Sequence, residues 1–250
     1  MFVDPDNPDT IPVSAPRPRF DAVALEAALA TAGPREIVET AIRTMPGRMA
    51  VVSSFGTESA VLLKFVAEVD PSLPVLFLDT QWLFKETLAY RDALVARLGL
   101  SDVRTVIPSP SEIAMRDPKR DLAFRDRDAC CEIRKVTPLA TELAGFDGWM
   151  SGRKRYHGAE RAALPVVEQD GSRLKFNPLA RLSRPELNAV FAMAKLPRHP
   201  LESMGYPSVG CVPCTHKPSL GGSIRDGRWS GLGKTECGIH LGPLPASTDR

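Results

Sequence analysis

Five cysteines carry the first chemical signal in this chain of 250 residues. They stand at Cys130, Cys131, Cys211, Cys214 and Cys237: a vicinal pair, a Cys-x-x-Cys, and a lone thiol near the C-terminus. The N-terminus, MFVDPDNPDT, has neither the basic stretch nor the apolar stretch of an export signal. An odd cysteine count in such a chain argues against a disulfide framework. The natural partition is four plus one. Four thiolates from two pairs hold either a zinc ion or an iron–sulfur cluster, and adjacent cysteines are awkward for a compact zinc knuckle. A vicinal disulfide at 130–131 is a third reading, disfavoured in a reducing compartment. Cys237 is then free to react. A lone cysteine is often an inert, buried small hydrophobe, but Glu236, Gly238 and His240 look too polar for a core. Arg225, Arg228 and His240 offer the positive charge that lowers a thiol pKa.

A second group of residues suits an anionic ligand. Ser54-Phe55-Gly56-Thr57-Glu58-Ser59 lies between an apolar tetrapeptide and a helical stretch. A turn there aims backbone N–H groups and hydroxyls at a helix N-terminus, where negative charge is favoured. The same composition also serves plain helix capping. The loop lacks the Gly-Lys-Ser/Thr ending of a Walker A motif and is not G-x-G-x-x-G. Two basic sets accompany it: Arg153-Lys154-Arg155 with Arg161, and Arg225 with Arg228. Lys135 follows Cys131 by about one helical turn and so faces the same way. His199 reads as structural. His216 suits either a cluster sulfur or the surface, and Trp82 is expected to pack near Asp79.

These residues need a scaffold, and the chain supplies an alternating one. Helical spacing runs from Asp21 to Thr44, broken near Gly33-Pro34. Met49–Val52 reads as a buried strand, 53–59 as a polar turn, and Ala60–Val69 as a helix. Val75–Leu78 is a second strand, ending in Asp79-Thr80 and leading into a helix over about 84–98. Val103–Ile107 is a third strand, Cys130-Cys131 fall on a helix, and a strand is expected near Trp149-Met150. Ser183-Arg184-Pro185 starts a helix. Short apolar strands alternating with helices predict an α/β fold, a parallel twisted sheet flanked by helices. In such folds ligands sit at the carboxyl ends of strands, where 53–59 and Asp79-Thr80 both lie.

Residues 1–20 hold five of the 23 prolines and read as a flexible lead-in; 21–215 form the main domain. Residues 216–250 hold seven of the 18 glycines and read as a mobile arm carrying Cys237. Hydrophobic residues at 43% and charged residues at 25% are ordinary globular values. No apolar run suits a membrane span. A formal charge of +2 gives no case for nucleic-acid binding. The expectation is a soluble, cytoplasmic protein, with a homo-oligomer left open.

Taken in order, several segments resemble one family. They are Cys130–Lys135, Gly205–Thr215 and Glu236–His240, supported by 54–59, Leu78-Asp79-Thr80, Lys175–Leu179 and Arg225–Trp229. Over residues 45–241 the chain resembles the assimilatory adenylyl-sulfate reductases, the iron–sulfur branch of the phosphoadenylyl-sulfate reductase family. The loop at 54–59 is similar to the pyrophosphatase-type loop of the adenine-nucleotide alpha-hydrolase-like fold. It carries Phe55 and Glu58 where ATP-cleaving members have glycine and aspartate.

The resemblance implies a [4Fe–4S] cluster on Cys130, Cys131, Cys211 and Cys214, structural zinc being the competing occupant. It implies that Cys237 attacks the sulfate sulfur of adenosine 5'-phosphosulfate, releasing AMP and leaving a Cys–S-sulfonate that thioredoxin resolves to sulfite. It further implies substrate contacts from Ser54, Gly56, Thr57, Glu58, Ser59, Asp79, Thr80, Lys135, Lys154, Arg155, Arg161, Arg225, Arg228 and His240. In many relatives the stretch after Gly152 reads Leu-Arg-Arg, then an acidic residue and glutamine; Tyr156 and His157 hold those last two places. The 3'-phosphorylated substrate is the alternative within the family. An iron–sulfur tRNA-thiolating enzyme and a non-catalytic zinc module are alternatives outside it. Phe55, Glu58 and the low charge weigh against the former.

Overall fold

In a computed structural model of the chain, residues 20–219, 221, 223–229, 236 and 238–240 are described. Cys237 and nearly all of the 1–20 lead-in lie outside the described residues.

The helices are α1 (Ala22–Ala28), α2 (Pro34–Thr44), α3 (Ser59–Val69), α4 (Lys85–Leu98), α5 (Pro110–Arg116), α6 (Leu122–Arg125), α7 (Arg127–Cys131), α8 (Thr137–Glu142), α9 (Arg184–Met193) and α10 (Pro200–Ser203). The expected boundaries hold for physical reasons. Asp21 caps α1 by accepting from the Val23 and Ala24 N–H groups, and Pro34 opens α2. Ser183 and Glu186 form a reciprocal capping box at α9. Gly99, in the left-handed region, closes α4.

Among the described residues one sheet holds β1 (Met49–Ser53), β2 (Val75–Leu78), β3 (Val103–Val106), β4 (Gly148–Ser151), β5 (Val167–Asp170) and β6 (Arg173–Phe176). The spatial order is β3-β2-β1-β4-β6-β5, parallel except where β5 runs antiparallel to β6. Side chains alternate between two apolar layers, as the strand repeat demands. Met49, Val51, Val75, Phe77, Met150 and Phe176 face one core with Ile37, Leu63 and Leu94. Ala50, Val52, Leu76, Leu78 and Trp149 face the other with Leu139 and Leu143. Gly148 belongs here because a Cβ would stand 2.4 Å from the Met45 sulfur.

The β5–β6 hairpin has no counterpart in the sequence expectations. Its residues, Val-Glu-Gln-Asp and Arg-Leu-Lys-Phe, bury Asp170, Arg173 and Lys175. These charges disguise interior strands as a polar loop. Within the described part of 216–250, expected to have a poor core, several residues pack inward while others, such as His216 and Asp226, stay exposed. Arg228 pairs with Thr215 in an isolated bridge, Trp229 is buried, and Ile239 joins the second core. Glu236 is only 4% exposed, so the reading of 236–240 as too polar for the interior is corrected. An ion pair with Arg161 makes that burial tolerable. Among the described residues no helix is long and apolar enough to cross a membrane.

Candidate active site

The strand order reverses between β1, which leads outward to β2 and β3, and β4, which leads to β6. Chains leaving two such strands diverge to opposite sides and open a crevice at their carboxyl ends. A cleft lies there, lined by Ser53, Ser54, Gly56, Thr57, Glu58 and Ser59 after β1 and by Ser151, Gly152, Arg153 and Lys154 from β4 onward. His157, Arg161, Ser208, Val209, Arg225, Arg228 and His240 also stand in its walls, with an apolar floor from Val52, Leu62, Leu78 and Ile239.

The β1–α3 loop is held from below. Phe55 adopts φ +46° and is fully buried edge-on against Phe77 at 5.3 Å. A left-handed phenylalanine is costly, and burial of the ring in the core holds it there. The Thr57 hydroxyl donates to the Pro207 carbonyl at 2.9 Å, tying the loop to the segment that leads into Cys211.

Glu58 is the hub of the cleft. Its carboxylate meets Lys154 Nζ at 2.6 Å, accepts from the Tyr156 hydroxyl at 2.5 Å, and lies 3.0 Å from His157 Nε2. Burial alone would raise its pKa, but the Lys154 charge and the His157 hydrogen bond hold it well below the usual carboxylate range. Burial holds Lys154 below the usual lysine value, with Glu58 opposing that shift. Arg161 pairs with Glu236, and Arg225 Nη2 lies 4.0 Å from the same carboxylate. Beneath the cleft, Arg153 pairs with Glu168, and Lys175 lies 3.4 Å from Glu168 and over the Trp149 ring. Burial, with Arg153 adding to it, pushes Lys175 down to about 7. The His240 ring stacks on Trp149 with centroids 6.0 Å apart. Its buried Nδ1 lacks a hydrogen-bond partner among the described residues.

Cys130, Cys131, Cys211 and Cys214 line a second, separate pocket together with Thr80, Trp82, Ala123, Arg127, Arg134, Lys135 and Pro213. A turn of π-helix over Glu132–Val136 follows the vicinal pair, an irregularity that recurs at functional sites. Thr80 Oγ1 lies 3.2 Å from Cys211 Sγ. Arg134 is buried, donating to the Thr80 carbonyl at 3.0 Å and to Asp117 at 2.7 Å. Burial pushes the Cys130 thiol up to about 11, with Arg134 and Lys135 acting against that shift.

The donor set fits an iron–sulfur cluster. Among the described residues, the four thiols are the only His, Cys, Asp or Glu side chains lining this pocket, and cations stand beside them to offset thiolate charge. Among the described residues no three such groups converge as ligands of a single ion would. The two pockets adjoin through Arg228, which lines the cleft and donates to the carbonyls of Cys214 at 3.2 Å and Val209 at 3.1 Å.

The cleft thus gathers Ser54, Gly56, Thr57, Glu58, Ser59, Lys154, Arg161, Arg225, Arg228 and His240 from the sequence reading. It does not gather four others. Thr80 and Lys135 line the cysteine pocket. Asp79 accepts from the Gln81 N–H, and Arg155 Nε donates to the Leu164 carbonyl. Trp82 packs on Cys211 and Cys214. His199 is structural: it caps α10 through Nδ1 and meets Thr87 through Nε2. His216 is exposed. Sequence reasoning did not single out Arg134, Asp117 or Glu236 as site residues. Arg134 and Glu236 stood inside quoted motifs, whereas Asp117 gave no signal, its partner lying 17 residues away.

A cation-walled cleft at a strand-order reversal, beside a pocket lined by four thiols, defines an α/β protein built to hold an anionic ligand. Residues 48–217 match the phosphoadenosine phosphosulfate reductase domain, and the chain belongs to that family. Similar chains named adenosine 5'-phosphosulfate reductase occur in Chelativorans sp. (strain BNC1), Mesorhizobium japonicum and Mycolicibacterium smegmatis. The first is 47% identical, covering 92% of this chain and 95% of that one. The second is 46% identical, covering 90% and 89%, and the third 37% identical, covering 86% and 91%. Among solved structures, a phosphoadenylyl-sulfate (PAPS) reductase from Candida auris superposes with a TM-score of 0.64 at 23% identity. It covers 76% of this chain and 94% of that one, and bears on the fold alone.

Proposed function

We propose that this chain reduces adenosine 5'-phosphosulfate to sulfite and AMP in sulfate assimilation. The observation that carries the reading is the junction of a cation-walled nucleotide cleft with a four-cysteine pocket through Arg228. The names of the relatives point the same way.

Ser54, Gly56, Thr57 and Ser59 line the nucleotide side, and Lys154, Arg161, Arg225 and Arg228 offset the charge of the phosphosulfate. The thiolate of Cys237 attacks the sulfate sulfur, the bond from that sulfur to the bridging oxygen breaks, and AMP departs with the electron pair. A Cys237 S-sulfonate remains. A thioredoxin thiolate then attacks the Cys237 sulfur; sulfite leaves with the S–S electron pair, and a mixed disulfide forms. The second thioredoxin thiol resolves it, so the two electrons come from thiols. Cys130, Cys131, Cys211 and Cys214 hold a [4Fe–4S] cluster that, when bound, supplies charge and a cross-link. Lys135, half-buried beside these thiols, carries positive charge toward the sulfate. In this reading residues 21–215 bind nucleotide and cluster, 216–250 present the nucleophile, and the enzyme works in the cytoplasm.

The test is incubation with adenosine 5'-phosphosulfate without reductant, followed by mass spectrometry of the Cys237 peptide. The reading predicts a sulfonate on Cys237 with equimolar AMP. Cys237→Ser should abolish both while leaving iron and sulfide content unchanged. AMP release by Cys237→Ser at the wild-type rate would remove Cys237 from the chemistry.

A further inference from the structure

Tyr156 and His157 both meet Glu58, and the geometry gives the second of them a particular role. His157 stands between two fixed partners: its Nε2 is 3.0 Å from Glu58 Oε2, and its Nδ1 is 3.1 Å from Arg161 Nη1. A guanidinium only donates and an ionised carboxylate only accepts. Nδ1 must therefore be the bare, accepting nitrogen, and Nε2 must carry the hydrogen donated to Glu58. Arg161 in turn grips Glu236 through both Nε and Nη2. Arg161 therefore donates in two directions, to His157, which passes a hydrogen bond on to Glu58, and directly to Glu236, the residue immediately before Cys237.

We propose that His157 is a positioning residue that links the β1–α3 loop to Glu236 through these hydrogen bonds, and so fixes Glu236, the residue before the proposed nucleophile, beside Arg161 at the cleft wall. A doubly protonated ring would lose Arg161, since both nitrogens would then donate. Burial and the charges of Lys154 and Arg161 push His157 down to about 4, against the pull of Glu58, so the ring is neutral at neutral pH. A glutamine meets the same demand, its amide N–H donating to Glu58 and its amide oxygen accepting from Arg161. Histidine and glutamine are therefore interchangeable at this place, and leucine is not. Tyr156 supports the same carboxylate. Its hydroxyl donates to Glu58 at 2.5 Å, a position where an acidic side chain would face a second carboxylate.

Two measurements test the relay, and only the second rests on the reductase reading. Nitrogen-15 spectra of the histidine rings should show His157 as the Nε2–H tautomer, unchanged between about pH 5 and 8. An Nδ1–H tautomer, or titration near the usual histidine value, would overturn the relay whatever reaction the protein performs. In steady-state sulfite release, His157→Leu should lower kcat about tenfold with KM nearly unchanged, because buried partners lose their hydrogen bonds. His157→Gln should restore most of that loss. Wild-type kcat in His157→Leu, or a Gln variant as impaired as Leu, would contradict the proposal. If the wild-type protein released no sulfite, the reductase reading would fall and the spectra alone would decide the relay.

Discussion

Glu58 sits in a cleft otherwise built for anions, and it stays charged because three side chains answer it: Lys154, Tyr156 and His157. Read from the sequence, Glu58 and the pair 156–157 are unrelated departures from a family pattern. In space they are one compensated set, separated by about a hundred residues of chain, which no local spacing reveals. The cysteines are the opposite case, because thiol chemistry is specific enough for their grouping alone to suggest a shared centre. A second compensated pair should matter more for stability. Asp117 is fully buried and pairs with buried Arg134. Asp117→Ala would leave that guanidinium uncompensated beside the cysteine pocket and should cost about 3–5 kcal/mol, read as a lower urea midpoint. Wild-type stability in that variant would show that Arg134 finds another anion.

The buried histidines also set a pH dependence. Burial pushes His157 and His199 down to about 4, from an ordinary value of 6.5. Between those values the unfolded chain binds protons that the folded chain refuses, so stability falls as pH drops from 6.5 toward 4 and is fully present above 6.5. Urea midpoints on either side of pH 6.5 should show the loss, and His199→Gln should shrink it. A midpoint independent of pH across that range would mean that both rings charge freely in the fold.

At the scale of elements, the alternation of strands and helices was legible because parallel strands covered on both faces are nearly continuous apolar runs. Met49–Ser53 and Val75–Leu78 are buried along their whole lengths. The β5–β6 hairpin was not legible, since Lys175 and Asp170 are interior charges with partners, Glu168 and the Trp149 N–H among them. The burial of Glu236 was hidden for the same reason, its partner Arg161 lying far away in the chain. The loop between Val209 and Cys214 carries one sharp steric demand. A Cβ on Gly210 would stand 2.2 Å from Arg228 Nη2. Gly210→Ala should therefore displace Arg228, which lines the cleft and donates to the Cys214 carbonyl. Affinity for AMP should fall roughly tenfold, as expected for losing a charge-assisted contact, while the fold persists. Unchanged AMP affinity, measured by calorimetry, would show that Arg228 relocates without loss.

For the molecule as a whole, the strand-order reversal places the nucleotide cleft beside β1 and β4, and the 207–214 segment brings the Cys-x-x-Cys alongside it. Neither feature alone distinguishes a reductase from other nucleotide-binding α/β proteins; their junction does. The most direct measurement is sulfite release with reduced thioredoxin, comparing adenosine 5'-phosphosulfate with its 3'-phosphorylated form. The account predicts turnover with a strong preference for the unphosphorylated substrate. Preference for the phosphorylated form would contradict the substrate assignment, and no sulfite from either would contradict the reductase reading itself.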